Sequence, residues 1–450
     1  MLSQQETKRE QWGSRIGFIL ACLGSAVGLG NVWRFSTTAG ENGGGAFILV
    51  YLLIILFIGI PVVMAEFTIG RKSQSDAVGS FQKLAPGKPW FIAGFLGVAA
   101  SFIILSFYGV VAGWVMKYFF GYLTGSLVNV PENDFTGYFV SFIGKTAEPI
   151  IWQFIFMALT VGIVVVGVKK GIEAANKVLM PLLGVLLIIL AIYSLTLGGA
   201  KEGLTFLFSP DWSKLADPHL YLAALGQAFF SLSLGMGALI TYGSYLSKEN
   251  KLPTAALSVG ALDTLVALTA GILIFPAVFA FGLDPAGGAG LVFMTLPNVF
   301  DQMPLGAVAG AAFFFLLFAA ALTSAVSLLE VAVAYFMRKF SWGRKQAVLI
   351  IGSIIFVLGI PSSLSQGAVP ITIMGKDFLT FMDELSGNVF LPLGGLIIAL
   401  FIGWGWKKTD ALRDSDLGDT LIGNIWIWCV RILAPVGILL IFLNKIGIVG

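Results

Sequence analysis

Two clusters of small residues fall inside long apolar stretches, GSAVGLGN from Gly24 to Asn31 and SLSLGMG from Ser231 to Gly237. Glycine in a helix interior costs about 1 kcal/mol per residue relative to alanine, so this spacing marks either unwound backbone or a face where membrane helices pack closely. Taken singly, each cluster reads better as packing. Unwound backbone halfway across a bilayer persists only where it lines a cavity. There its freed carbonyls can coordinate a cation, and half-helix N-termini can hold a carboxylate. Two carboxylates, Asp263 and Glu66, also lie within apolar stretches. A charge in such a place is costly and is a functional candidate by default; for Asp263 the simpler reading is a residue near a helix end that reaches water. His219, the single histidine, reads as a solvated loop residue. No nucleophile motif or cluster of metal ligands supports an enzyme. No ring-forming filter or repeated charged segment supports a channel.

The elements that must position these residues are membrane spans. Hydrophobic residues make up 57% of the 450, and Asp, Glu, Lys and Arg only 11%, against about 25% in soluble proteins. So few charges cannot cover a soluble surface, and much of the exterior must face a lipid bilayer. The net charge of +3, with no dominant basic run, gives no sign of nucleic acid as a partner. Cys22 and Cys429 sit in apolar runs and read as buried small residues. The polar start MLSQQETKREQWGS lacks the pattern of a cleaved signal peptide.

Runs long enough to cross a bilayer, about 20 residues each, are placed near 15–36, 44–70, 90–122, 150–168, 176–198, 221–246, 256–282, 306–336, 345–361, 378–403 and 420–443. This predicts an all-α polytopic protein of eleven helices. Nineteen Lys and Arg flank the spans on one side and five on the other, so the positive-inside rule predicts a cytoplasmic N-terminus and, with an odd number of spans, an external C-terminus in a multi-pass cell-membrane protein. The reading divides the chain into a cytoplasmic segment 1–14, a repeat of five spans over 15–198, an external loop 199–220, a second repeat over 221–403, a cytoplasmic loop 404–419, and the last span with an external tail, 420–450. The other long external loops are 123–149 and 283–305. The two glycine clusters open the two sets of five spans, which is where an inverted-repeat transporter carries its discontinuous helices. Their pairing favours interruption over packing, and both halves then offer what a salt-coupled amino-acid carrier needs.

Beyond position, SAVGLGNVWRF followed by ENGGGAF resembles the first-span signature of the neurotransmitter:sodium symporter family, and the likeness continues through MAEFTIGR, FFSLSLGMG and AALTSAVSLLE. It extends over essentially the whole chain. The resemblance implies the LeuT-type fold, five plus five helices in inverted repeat, with sodium and substrate bound halfway across; eleven spans instead of twelve resemble a prokaryotic branch. It implies two sodium sites. The first uses the Ala26 carbonyl, Asn31, Ser231, Asp263 and the substrate's own carboxylate. The second uses the carbonyls of Gly24, Val27 and Ala320 with the hydroxyls of Thr323 and Ser324, which alone would read as interhelical or back-bonding hydroxyls. Many family members carry Asn where this chain has Asp263. Chloride-dependent relatives recruit chloride to balance nearby sodium charge, and Asp263 can supply that charge instead. The expectation is transport without chloride.

Where the family's monoamine carriers place Asp, this chain has Gly28, so the resemblance points to an α-amino acid. Its carboxylate meets the amides of Leu29 and Gly30 and the Tyr108 hydroxyl; its amine meets the carbonyls of Ala26, Phe230 and Ser231, with Ser233 nearby. The side-chain pocket comprises Ile104, Tyr108, Phe230, Met236, Ser324 and Leu328. It has no fixed charge, and the flexible Met236 thioether adapts to differently shaped partners, which predicts hydrophobic substrates, aliphatic and aromatic. Each of these residues alone reads as ordinary packing. Arg34 and Asp383 match the family's external gate, with Phe230 as lid and Gln227 beside it; on residue type alone they read as well as snorkelling charges. Glu66 is expected to brace the unwound span 6. Arg9 and Trp12 match the cytoplasmic latch, but its acidic partner at the inner end of span 8 is replaced by Arg338. Gly171 and Pro181 mark either a kink or a stretch that unwinds to let water reach the second sodium.

Overall fold

The structure is a computed structural model that describes residues 10–128, 130–247, 249–282 and 291–445. Nine helices among them are long and apolar enough to cross a membrane. Span 1 adds a bent pair, Arg15–Ala26 and Gly30–Glu41, which meet at 58°. Span 6 is assembled from Pro218–Ser231 and Ala238–Gly243, separated by residues 232–237. The two interruptions expected from the glycine clusters are therefore both present. The chain is an all-α, polytopic membrane protein.

The interruptions have local causes. Helix Arg15–Ala26 ends because Val27 turns extended, with φ −74° and ψ 104°, and the chain resumes at Gly30 through a wide π-turn to Arg34. In span 6, Gly235 and Gly237 take left-handed backbone, φ 76° and 74°, which glycine adopts freely. Ser233 takes the same region at φ 54°, uncommon for a residue with a side chain.

The other spans enclose these two. Span 2 is Gly45–Ser73, span 3 Phe91–Thr124, span 4 Glu148–Val165, span 5 Val168–Ser194, span 7 Leu252–Ala280, span 8 Gly306–Phe340, span 9 Arg344–Leu364, span 10 Phe378–Gly405 and span 11 Leu421–Asn444. Span 8 is 83% buried through its apolar window and span 3 is 72%, against 33% for spans 4 and 5. Spans 3 and 8 thus form the interior partners of the broken helices, and spans 4 and 5 face outward. Cys22 and Cys429 are buried free thiols. A two-stranded hairpin pairs Thr372–Ile373 with Lys376–Asp377 between spans 9 and 10.

Span 5 starts eight residues earlier than the hydrophobic run suggests, at Val168 and not 176. The charged VKKGIE stretch is helical because a π-turn, Val168–Glu173, carries it, with Glu173 buried and accepting from Gly13 N and the Ser14 hydroxyl. Apolar content alone could not reveal a charged turn satisfied by a distant segment. Residues 283–290 of the expected 283–305 loop, and Lys8, Arg9 and Lys248, lie outside the described residues.

Candidate ion and substrate site

The interruptions leave backbone groups without helical partners, and buried polar groups must find others. The Glu66 carboxylate of span 2 accepts from Gly235 N at 2.8 Å. The Ser233 hydroxyl donates to the Ser25 carbonyl at 2.8 Å, joining the two breaks directly, while the Ser25 hydroxyl donates to Ser327 of span 8, also at 2.8 Å. Gln227 Nε2 donates to the Gly30 carbonyl at 3.1 Å. Glu66 stands where the sequence reading expected a brace.

A first cluster forms where span 1 resumes. Asn31 Nδ2 donates to Asp263 Oδ1 at 2.7 Å and to Ser231 Oγ at 2.9 Å. Ser231 Oγ in turn donates to Asp263 Oδ2 at 2.6 Å. All three residues are fully enclosed, so Asp263 is an interior carboxylate held by three spans and not a helix-end residue in water. Tyr51 adds its hydroxyl 3.4 Å from Ser231 Oγ, a partner that nothing in its sequence surroundings announces.

A second cluster lies between span 8 and the end of the first half-helix. Ser324 Oγ is 3.2 Å from the carbonyl oxygens of both Gly24 and Val27. Thr323 Oγ1 lies 3.0 Å from the Ala320 carbonyl. Both clusters offer oxygen donors, the chemistry suited to hard cations, and among the described residues no group of three or more His, Cys, Asp or Glu converges.

Between the clusters, the Leu29 amide donates to the Tyr108 hydroxyl at 3.4 Å. A Cβ on Gly28 would stand 2.8 Å from Ser324 Oγ and 3.1 Å from Tyr108 Oη. Glycine lets the Ser324 and Tyr108 hydroxyls approach the backbone of span 1 this closely. The Phe230 ring covers Gly30, where an added Cβ would lie 2.4 Å from the ring, and Arg34 sits over that ring at 4.4 Å. Asp383 acts electrostatically on Arg34. Ala26, Ile104, Met236 and Leu328 are buried, and the Met236 carbonyl accepts from Ser101 at 2.8 Å.

At the basic end of the bundle, Trp12 donates its indole N–H to the Tyr242 carbonyl at 2.9 Å and its amide to Tyr245 O at 3.2 Å. Arg338 pairs with Asp76, the residue whose Oδ1 also accepts from the amides of Val78 and Gly79. The carboxylate of span 8 at this end is Glu330, two turns earlier, joined to Arg344 at 2.7 and 2.9 Å and to the Tyr245 hydroxyl. Arg344 also holds Glu10 at 2.9 Å. Aligning one helix position could not show that a carboxylate eight residues away serves this end. In this conformation span 5 is wound through both Gly171 and Pro181; a Cβ on Gly171 would press 2.1 Å from the Ile163 carbonyl of span 4.

Two broken helices at the centre of a bundle of membrane-spanning helices, joined to each other and flanked by two oxygen clusters, define a LeuT-type membrane transporter. The sodium:neurotransmitter symporter family model matches residues 9–133 and 140–449, and the chain belongs to that family. It is a sodium-dependent membrane transporter and not an enzyme. It is 41% identical to the uncharacterized sodium-dependent transporter YhdH of Bacillus subtilis (strain 168), with 99% of each chain covered. It is 36% identical to an uncharacterized sodium-dependent transporter of Haemophilus influenzae, covering 99% of this chain and 100% of the relative. The crystal structure of MhsT in complex with L-phenylalanine is similar at 65% identity and a TM-score of 0.92, covering 97% of this chain and 100% of that one.

Proposed function

We propose that the protein couples two sodium ions, without chloride, to the inward transport of hydrophobic L-amino acids by alternating access. The observation that carries the reading is the interior Asp263 carboxylate, held by Asn31 and Ser231 at the junction of the two broken helices. In this reading the first sodium takes oxygens from Ala26, Asn31, Ser231, Asp263 and the substrate carboxylate. Asp263 balances its charge, so no chloride is needed. The second sodium takes Gly24, Val27, Ala320, Thr323 and Ser324.

The amino acid lies between them. Its carboxylate meets Leu29, Gly30 and Tyr108, its amine meets Ala26, Phe230 and Ser231, with Ser233 near, and its side chain faces Ile104, Met236 and Leu328. Gly28, which brings no carboxylate to pair with the amine of a decarboxylated substrate, and the amino-acid complex of the similar MhsT support this class. Arg34, Asp383, Phe230 and Gln227 close the external side. Arg9 and Trp12 latch the cytoplasmic side, and the segment around Gly171 and Pro181 opens to release the second ion. The lysine and arginine asymmetry supports a cytoplasmic N-terminus and an external C-terminus.

Each sodium moving down about 100 mV contributes about 2.3 kcal/mol, and a tenfold gradient adds about 1.4 kcal/mol. Two ions therefore supply about 7 kcal/mol, or about five decades of accumulation. The test is uptake of labelled amino acids into proteoliposomes, with sodium and chloride varied independently. Sodium-dependent, chloride-independent uptake of leucine, phenylalanine or tryptophan is expected. Uptake that survives replacement of sodium by choline, or that stops when chloride is removed, overturns the coupling. Lysine or glutamate competing better than leucine overturns the pocket.

A further inference from the structure

Asn176 of span 5 is a buried amide, only 1% exposed, with one end satisfied and the other not. Its Nδ2 donates to the Ile172 carbonyl at 2.9 Å. A carbonyl can only accept, so this bond fixes the amide's orientation and turns Oδ1 the opposite way. Oδ1 has no hydrogen-bond partner, an arrangement that is costly for a buried acceptor. It points at span 1. A Cβ on Gly24 would lie 1.9 Å from Asn176 Oδ1 and 3.0 Å from Thr323 Cβ. The residue at position 24 must therefore be glycine for the amide oxygen to reach this place. The Gly24 carbonyl, 3.2 Å from Ser324 Oγ, and the Thr323 side chain belong to the second oxygen cluster.

We propose that Asn176 is a further sodium ligand, an amide oxygen that span 5 contributes to the second cation cluster beside the five oxygens of spans 1 and 8. The inference rests on that cluster being a sodium site. The donor chemistry matches: a neutral amide oxygen is the side-chain counterpart of the Gly24, Val27 and Ala320 carbonyls, and alkali cations take such oxygens. The contribution of span 5 also gives that helix a direct stake in the ion. A movement of span 5 that withdraws Asn176 weakens the cluster without disturbing spans 1 or 8.

The test is equilibrium binding of tritiated L-phenylalanine and of radioactive sodium to the purified full-length protein across a sodium titration, with no transport step involved. Asn176→Leu keeps the branched heavy-atom shape and removes the acceptor, and should raise the sodium needed for half-maximal binding by at least about tenfold. Asn176→Asp keeps an oxygen in place and should not. Asn176→Ala, also without an acceptor, reads the same quantity if the leucine variant does not fold. Thr323→Val is the reference. If it raises the sodium requirement and both Asn176→Leu and Asn176→Ala leave it unchanged, the proposal is overturned while the site stands. If Asn176→Asp is as impaired as Asn176→Leu, Asn176 acts through packing and the proposal fails. If Thr323→Val is also without effect, the sodium assignment of the second cluster falls and this proposal falls with it.

Discussion

The two oxygen clusters lie on either side of the same unwound stretch of span 1, yet they are built differently. The first is made of side chains and contains a full carboxylate, Asp263, gripped by an amide and a hydroxyl. The second is built from backbone carbonyls and hydroxyls, with Ser324 Oγ placed against Gly24 and Val27 and, among the described residues, no carboxylate bonded to it. In a medium of low dielectric a charge needs a countercharge or many dipoles. The first cluster carries its own countercharge and the second relies on dipoles. In the proposed reading its hold on a cation therefore depends on how many oxygens converge, and any helix that moves can loosen it. A carboxylate-bearing site resists such loosening.

The strongest way to break this comparison is at Asp263. Asp263→Ala leaves the Asn31 amide and the Ser231 hydroxyl without their anionic partner and should reduce sodium-dependent amino-acid binding by about a hundredfold, measured by equilibrium binding at saturating sodium. Asp263→Asn keeps the shape and removes the charge; part of the lost binding should return when chloride is supplied. If Asp263→Asn binds normally without chloride, the countercharge is not what distinguishes the first cluster.

Removing dipoles from the second cluster should have a smaller and different effect. Ser324→Ala deletes one oxygen among several, so the sodium requirement should rise by about tenfold with no gain of chloride dependence. Smaller again is Gly28→Ala, whose methyl meets the Ser324 and Tyr108 hydroxyls at 2.8 and 3.1 Å. Ser324 Oγ can rotate aside and the Tyr108 ring need shift only slightly, so the cost should be about 1 kcal/mol, read as weaker amino-acid binding with a smaller rise in the sodium requirement than Ser324→Ala causes.

The smallest effect belongs to a pair remote from both clusters. Asp416 receives two Arg71 guanidinium bonds, at 2.7 and 2.8 Å, and the Leu252 amide. Burial pushes its carboxyl up, but Arg71 and that amide outweigh burial and hold it below its ordinary value. Its stabilising contribution is therefore present above the unfolded pKa, about 3.9, and is lost as pH falls through the lower folded value. Asp416→Asn should cost less than about 1 kcal/mol near neutral pH, seen as a small fall in thermal stability that shrinks in acid. Sodium dependence should not change; if it does, the two clusters are less independent of the basic end than their separation suggests.

Much of this was legible in the sequence because it is written in local pattern. The glycine spacing of GSAVGLGN and SLSLGMG announces both interruptions, and an interior Asp263 stands out wherever charge is scarce. What escaped depends on contacts across long stretches of chain. Arg338 found Asp76, Glu330 found Arg344 and Tyr245, and the charged turn at the start of span 5 became helical because Gly13 and Ser14 satisfy Glu173. Asn176 gave no signal at all, since an asparagine in an apolar helix looks like a tolerated polar residue until its free oxygen is seen against Gly24.

The bond from Ser233 to Ser25, with Glu66 on Gly235, has a thermodynamic consequence. An unwound loop halfway across a membrane would ordinarily sample many shapes, and a ligand fixing one of them would lose affinity to that ordering. Here residues 232–237 are held to one shape by protein groups alone, so the loss of freedom belongs to folding and not to binding. Small ligands then meet a loop that is already ordered, and less of their interaction energy goes into ordering it.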